Sequence, residues 1–257
     1  MKQLLLALLV LPVIAIAGSF DGTWISDLSA AKPPAKPIVI LLNKGIYECK
    51  SCVPSIYVRA DSSNQAVTGH PYYDTVAVRV SNDHRLETTY KMAGKMVFQN
   101  NIVVAADGKT ATIVGESRFG AKPVTSTTRM TRVAAGPAGA HAYSGSWRTT
   151  AYEDVSQNGM TLTLRETANG LQLNDNNGMS YDAKFDAKEY PIVGDPAHTV
   201  VTLKRVDANT IEETDKIAGK VEAVYRMSVA ADGKSLVVAT DNKRSGSTSQ
   251  DTLRKKN

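Results

Sequence analysis

The chain of 257 residues carries 30 Lys and Arg against 25 Asp and Glu, a formal net charge of +5, and only 6 % of it is aromatic. Lys2 and the terminal Arg254-Lys255-Lys256 hold most of the excess, and elsewhere the signs are interleaved, which argues against the basic stripe or stacking surface of a nucleic-acid binder. Beyond the first residues no apolar run approaches the roughly 20 that a membrane helix needs, so no membrane span is expected.

Lys2, the apolar run Leu4 to Val10 and the small-residue ending Ala15-Ile16-Ala17 have the charged, hydrophobic and cleavage parts of a secretory signal peptide over residues 1–17. Cleavage is expected after Ala17, with no lipid-accepting Cys behind it. The expected compartment is the bacterial periplasm or the cell exterior.

From there the sequence is written twice. Lys44-Gly45 through Ile113 lies without a gap over Asn169-Gly170 through Val238, a shift of 125 positions (170 − 45). Glu87 falls on Glu212, Ala93-Gly94-Lys95 on Ala218-Gly219-Lys220, and the VAADGK run from Val104 on the same run from Val229. Upstream, Gly22-Thr23-Trp24 matches Gly145-Ser146-Trp147. A repeat this long is two copies of one small domain and not a solenoid unit. The expected division is repeat one over residues 18–133, a Gly- and Ala-rich linker over 134–142, and repeat two over 143–257.

Within each copy, short runs alternate apolar with polar residues: Thr75 to Val80, Met96 to Phe98, Ile102 to Val104, Thr161 to Leu164 and Ser235 to Val238. Such runs are half-buried antiparallel strands, and Asp107-Gly108, Asp232-Gly233, Ala93-Gly94 and Ala218-Gly219 supply glycines for tight turns between them. About eight or nine strands per copy follow from the turn spacing. A sheet of that size hides its edges by closing, so the expected class is all-β, two tandem antiparallel up-and-down barrels. A barrel of about eight strands is either filled by side chains or holds one small ligand.

The Gly-x-Trp of the first strand, Gly22-Thr23-Trp24 and Gly145-Ser146-Trp147, followed by a meander of short strands, resembles the lipocalin-type (calycin-type) barrels. The Gly-Asp-Pro and Lys-x-x-Gly-Lys hairpins are similar to those of exported bacterial lipocalin-like proteins. The resemblance spans both copies and implies a binding barrel; it brings no catalytic residues.

Cys49-Lys50-Ser51-Cys52 overlies the turn-forming Asn174-Asp175-Asn176-Asn177 of copy two, which puts the pair at a hairpin tip. In an oxidising compartment a Cys49–Cys52 disulfide across that turn is the simplest fate. Three other readings compete with it. A redox Cys-x-x-Cys should open a helix, where the terminus stabilises the thiolate, yet the flanks read as strand and turn. Haem attachment needs His after the second Cys, where Val53 stands. Zinc would need two more ligands, for which His70 and His84 are separate single residues. Neither a Gly-x-Ser-x-Gly elbow nor a His-Glu-x-x-His is present. No catalytic residue, cofactor or metal is therefore expected.

Alternation along a strand also assigns the barrel interiors. If Val76 and Val78 face inward, so do Val80 and the partners Val201, Leu203 and Arg205. Leu86 and Met92 then turn Thr88 and Tyr90 inward in copy one, and Glu213 and Asp215 in copy two. Met96, Phe98 and Ile102 place Asn100 inside, with Tyr225 as its counterpart. Copy one would have a mostly apolar lumen lined in part by Tyr90 and Asn100, and copy two a charged one with Arg205, Glu213, Asp215 and Tyr225. Buried charge is costly unless paired or hydrated, so the second lumen is either a polar ligand site or a mouth open to water. The functional expectation is a non-enzymatic exported protein that holds a small hydrophobic or amphipathic ligand in a lumen. The alternative is an interaction module with filled barrels, meeting another envelope protein.

Overall fold

The computed structural model describes residues 19–120, 122–175 and 177–256; the signal-peptide expectation for residues 1–17 lies outside them. In chain order the strands are β1 (Gly22–Ser26), β2 (Ile38–Asn43), β3 (Ile46–Cys49), β4 (Ile56–Arg59), β5 (Gln65–Ala66), β6 (Thr75–Asn82), β7 (Arg85–Met92), β8 (Lys95–Val104), β9 (Thr110–Ser117) and β10 (Val124–Ala135). They continue as β11 (Gly145–Glu153), β12 (Thr161–Thr167), β13 (Gly170–Asp175), β14 (Ser180–Lys184), β15 (Tyr190–Pro191), β16 (Val200–Asp207), β17 (Thr210–Ile217), β18 (Lys220–Val229), β19 (Ser235–Asn242) and β20 (Ser247–Lys255).

They form two antiparallel ten-stranded sheets, in the orders β4-β3-β2-β11-β10-β9-β8-β7-β6-β5 and β14-β13-β12-β1-β20-β19-β18-β17-β16-β15. The ends of each sheet approach one another. The Ser62 N–H donates to Val78 O at 2.9 Å, and Ser180 and Val193 exchange backbone bonds of 3.0 and 2.8 Å. Each sheet is thus a nearly closed barrel, and the expected all-β fold of two tandem barrels is the fold observed.

The repeats in the sequence are not the barrels in space. β1, the Gly-x-Trp strand of copy one, lies between β20 and β12 in the second barrel, and β11, the Gly-x-Trp strand of copy two, lies between β10 and β2 in the first. Each copy has given its first strand to the other. Residues 134–142, expected as a flexible linker, are instead the end of β10 and most of its connection to β11 within the first barrel. His141 N donates to Leu42 O at 2.9 Å and Ala142 N to Asp83 O at 3.0 Å. The chain crosses between barrels twice, through residues 27–37 and 154–160.

Each exchanged strand brings a tryptophan that seals its barrel. Trp24 and Trp147 are fully buried, and their indole N–H groups donate to Phe20 O at 2.9 Å and Tyr143 O at 2.8 Å. A cation from the neighbouring strand, directly opposite in the ladder, covers each ring: Arg132 4.1 Å from the Trp147 centroid and Lys255 5.2 Å from that of Trp24. Gly145, at φ +130°, explains the motif's glycine, because a Cβ there would sit 2.3 Å from Ala134 O. The two cores otherwise hold expected strand residues, including Val76, Val78 and Leu86 in the first and Val201 and Leu203 in the second, where Ile211 joins them.

Two readings of register change. Val80, expected inside, is 40 % exposed, because β6 is irregular between Val80 and Asn82 at its hairpin end. At the first hairpin the copies superpose with a shift of 124 and not 125, since Asn43 pairs with Ile46 and Thr167 with Gly170 (170 − 46). Tyr47 therefore corresponds to Leu171 and Cys49 to Leu173. The Cys49–Cys52 disulfide is formed and closes the turn between β3 and β4.

A candidate functional site at the mouth of the second barrel

β17 positions the chemistry. Its core residue Ile211 is fully buried, and alternation turns Glu213 and Asp215 to the same side. Across the ladder Glu213 faces Tyr225 and Asp215 faces Ala223. Glu213 is 7 % exposed and accepts a hydrogen bond of 2.5 Å from the Tyr181 hydroxyl. The two carboxyls are near enough on that face to shift one another's titration. Both titrate well above the ordinary carboxylate range. Burial is the main cause, and like charge adds to it, from Asp215 on Glu213 and from Asp195 on Asp215.

The pair lies at the end of the barrel that meets its neighbour. A cleft of about 300 Å³ opens there, lined from the second barrel by Thr199, Asp215, Glu222, Ala223, Tyr225 and Arg244 and from the first by His70, Pro71, Tyr72 and Tyr73. That is room for roughly ten water-sized volumes, at the small end of ligand pockets. Arg244 closes one side: its guanidinium donates to Val53 O at 2.9 and 2.8 Å and to Gly69 O at 2.5 Å, and pairs with Glu222 at 3.2 Å. Val53 belongs to the disulfide turn, so that staple holds a docking contact between barrels. Gly69, at φ +77°, is required there because a Cβ would lie 2.8 Å from Pro54 Cγ.

The polar atoms around the cleft are incompletely matched. Among the described residues, Asp215 Oδ1, Asp195 Oδ1 and Thr199 Oγ1 are buried without a hydrogen-bond partner. Asp195 and Thr199 are only 7 % and 4 % exposed, and a single bond, Thr199 N to Asp195 Oδ2 at 2.8 Å, joins them. Thr199 Oγ1 is near enough to the Tyr72 hydroxyl to ease its ionisation but outside hydrogen-bond geometry. Burial drives the Tyr72 and Tyr225 hydroxyls up, and the neighbouring carboxylates push the same way. His70 is held below its usual range by burial and then by Arg244.

The residues singled out from sequence divide three ways. Glu213, Asp215 and Tyr225 come together. Arg205 does not join them: it pairs with Glu166, and its guanidinium lies 4.6 Å from the Phe185 ring, because its strand ends in a bulge and the long side chain reaches across to β12. Tyr90 and Asn100 lie in the other barrel and are consumed in packing. The Tyr90 ring meets Tyr73 and Phe98 at 4.9 and 6.3 Å, and Asn100 Nδ2 donates to Thr88 Oγ1 at 3.3 Å.

Sequence reasoning missed Tyr72, Tyr181, Asp195, Thr199 and Arg244. The signal was in the repeats. Tyr90, Phe98 and Phe119 of copy one correspond under the 125 shift to Asp215, Ala223 and Arg244. In the first barrel those rings interlock, Phe98 against Phe119 at 4.5 Å and Phe119 against Tyr72 at 5.5 Å. Their counterparts are small or charged and leave the second mouth open.

A larger depression of about 540 Å³ lies at the opposite end of the first barrel, between Lys44, Asp83, His84 and His141. Its histidines are occupied structurally: His141 Nε2 meets Asn82 O at 2.8 Å and His84 Nδ1 meets Val104 O at 3.2 Å. No family model matches the chain, and neither the characterised proteins nor the solved structures compared with it contain a match.

Proposed function

We propose that this is a binding protein of the periplasm or cell exterior that holds a small amphipathic molecule in the cleft between its barrels. The observation that carries the reading is the set of buried, unpartnered oxygens of Asp195, Thr199 and Asp215 beside a cleft walled by Tyr72, Tyr73 and Tyr225. Buried polar atoms without partners cost about 1–3 kcal/mol each, a cost that a ligand donor offsets on binding. The expectation of a ligand enclosed in a lumen becomes, in this reading, a ligand at the second barrel's mouth with the first barrel as its lid. The resemblance to lipocalin-type barrels supports the same class of role, and the disulfide fits an oxidising compartment.

Native mass spectrometry of the protein taken from its producing cells tests this. The wild type should carry a bound mass that denaturation releases, and Ala223→Phe, which rebuilds the first barrel's ring at the cleft, should carry none. A bare wild type, or an adduct equally present on Ala223→Phe, would contradict the reading and favour an interaction module with filled barrels.

A further inference from the structure

We propose that the ligand of this cleft is an organic cation, a protonated or quaternary amine with an apolar body, whose ammonium group sits against Asp215 and Asp195. This rests on the cleft being a binding site and names what it selects.

The argument begins with sign. Asp215 and Glu222 line the cleft, Asp195 and Glu213 lie within electrostatic reach of Asp215, and the guanidinium in the lining, Arg244, is already spent on Glu222 and on the carbonyls of Val53 and Gly69. Among the described residues no ion pair reaches Asp195, Glu213 or Asp215. The unpartnered atoms Asp215 Oδ1 and Asp195 Oδ1 are acceptors, and Thr199 Oγ1 has acceptor capacity. A ligand must therefore bring donors, and in so acidic a setting a positive charge. An anionic ligand would face like charge at each of these positions.

The walls supply the second half. Tyr72, Tyr73 and Tyr225 present aromatic surface, and ring faces attract ammonium groups. A bare metal ion fits less well: no three or more acidic, His or Cys side chains converge as ligands among the described residues. The Glu213–Asp215 pair fits the same picture, because two neighbouring carboxyls sheltered from water on one strand face favour a proton or another cation beside them. An ammonium beside Asp215 replaces that proton.

The test is isothermal titration of the full-length mature protein with phenethylamine, putrescine and choline, alongside phenethyl alcohol, phenylacetate and calcium chloride. Binding of at least one amine is expected, with phenethyl alcohol and phenylacetate much weaker. Asp215→Asn should weaken the amine roughly ten- to hundredfold with the far-ultraviolet circular dichroism unchanged. Tyr225→Phe, which keeps the ring, should retain binding. If phenethyl alcohol or phenylacetate binds as well as the amines and Ala223→Phe abolishes it, the cleft is a site and the cation class is overturned. Calcium binding that Asp215→Asn abolishes, with the amines inert, replaces the organic cation by a metal. Failure of every probe overturns the amine assignment, and a bare native mass at the same time overturns the site as well.

Discussion

The two barrels share a sequence plan and differ at their mouths. Tyr73, Tyr90, Phe98 and Phe119 interlock edge to face in the first; His198, Asp215, Ala223 and Arg244 stand at the matching positions of the second. Ring clusters of this kind bury large apolar area and add about 0.5–1.5 kcal/mol per pair beyond it. The second barrel forgoes that stabilisation and instead holds a buried Glu213 beside a partly buried Asp215, both shifted toward keeping their protons. A duplicated fold has one copy as the control for the other, and here the copy that departs from good packing is the one whose mouth holds the raised carboxyls and the unpartnered oxygens. A similar division, in which local rules fail at functional sites, is general.

The strand exchange makes the comparison breakable. Because β1 closes the second barrel, deleting residues 19–27 should open that barrel while the first, closed by β11, stays intact. The largest effect is expected here: proteolysis confined to residues 161–256, reversed by adding a peptide of residues 19–30. Proteolysis of both barrels alike would contradict independent closure. Next in size, Trp147→Ala and Trp24→Ala should each cost about 3–5 kcal/mol, measured by urea unfolding; unequal costs would locate a difference between barrels away from the mouths. Phe98→Ala should cost about 2–3 kcal/mol, less than a fully buried ring because Phe98 is half-buried. A crystal structure of that variant should show a new cleft in the first barrel.

Reducing the disulfide should have the smallest effect. Its loop is short, so the loss is about 2 kcal/mol at most in the chain-entropy view, and ligand affinity should fall with it because Val53 anchors Arg244. The pH dependence has a definite sign. Unfolded carboxyls titrate near pH 4, whereas Glu213 and Asp215 hold their proton to higher pH. The native state therefore binds more protons between those limits, and stability present at low pH is lost as pH rises through the folded values. Glu213→Gln with Asp215→Asn should flatten that slope; an unchanged slope would assign it to other groups.

Much of this was legible from residues alone. The alternation of Val76 with Val78, the turn glycines and the long repeat determine strands, meander and two barrels, and the period-two rule brought Glu213, Asp215 and Tyr225 together correctly. The exchange of β1 and β11 was not legible: the Gly-x-Trp strand fits either barrel equally, and only the path of residues 27–37 and 154–160 decides. For the same reason Tyr72 was invisible as a site residue, since it crosses from one copy to wall the other's cleft. Arg205 misled because alternation places a Cβ and not the tip of a long side chain, which here reaches Glu166.

The most direct measurement is calorimetric titration of phenethylamine at neutral pH in two buffers of different ionisation enthalpy, phosphate and Tris. The titratable and charged groups lining the cleft are His70, Tyr72, Tyr73, Asp215, Glu222, Tyr225 and Arg244, with Asp195 and Glu213 within reach of Asp215 and Tyr181 bonded to Glu213. Replacement of a proton held by the Glu213–Asp215 pair predicts proton release on binding, seen as a buffer-dependent heat that persists in His70→Gln and disappears in Glu213→Gln with Asp215→Asn. Equal heats in both buffers, or proton release unaffected by that double variant, would contradict a cation seated on the pair.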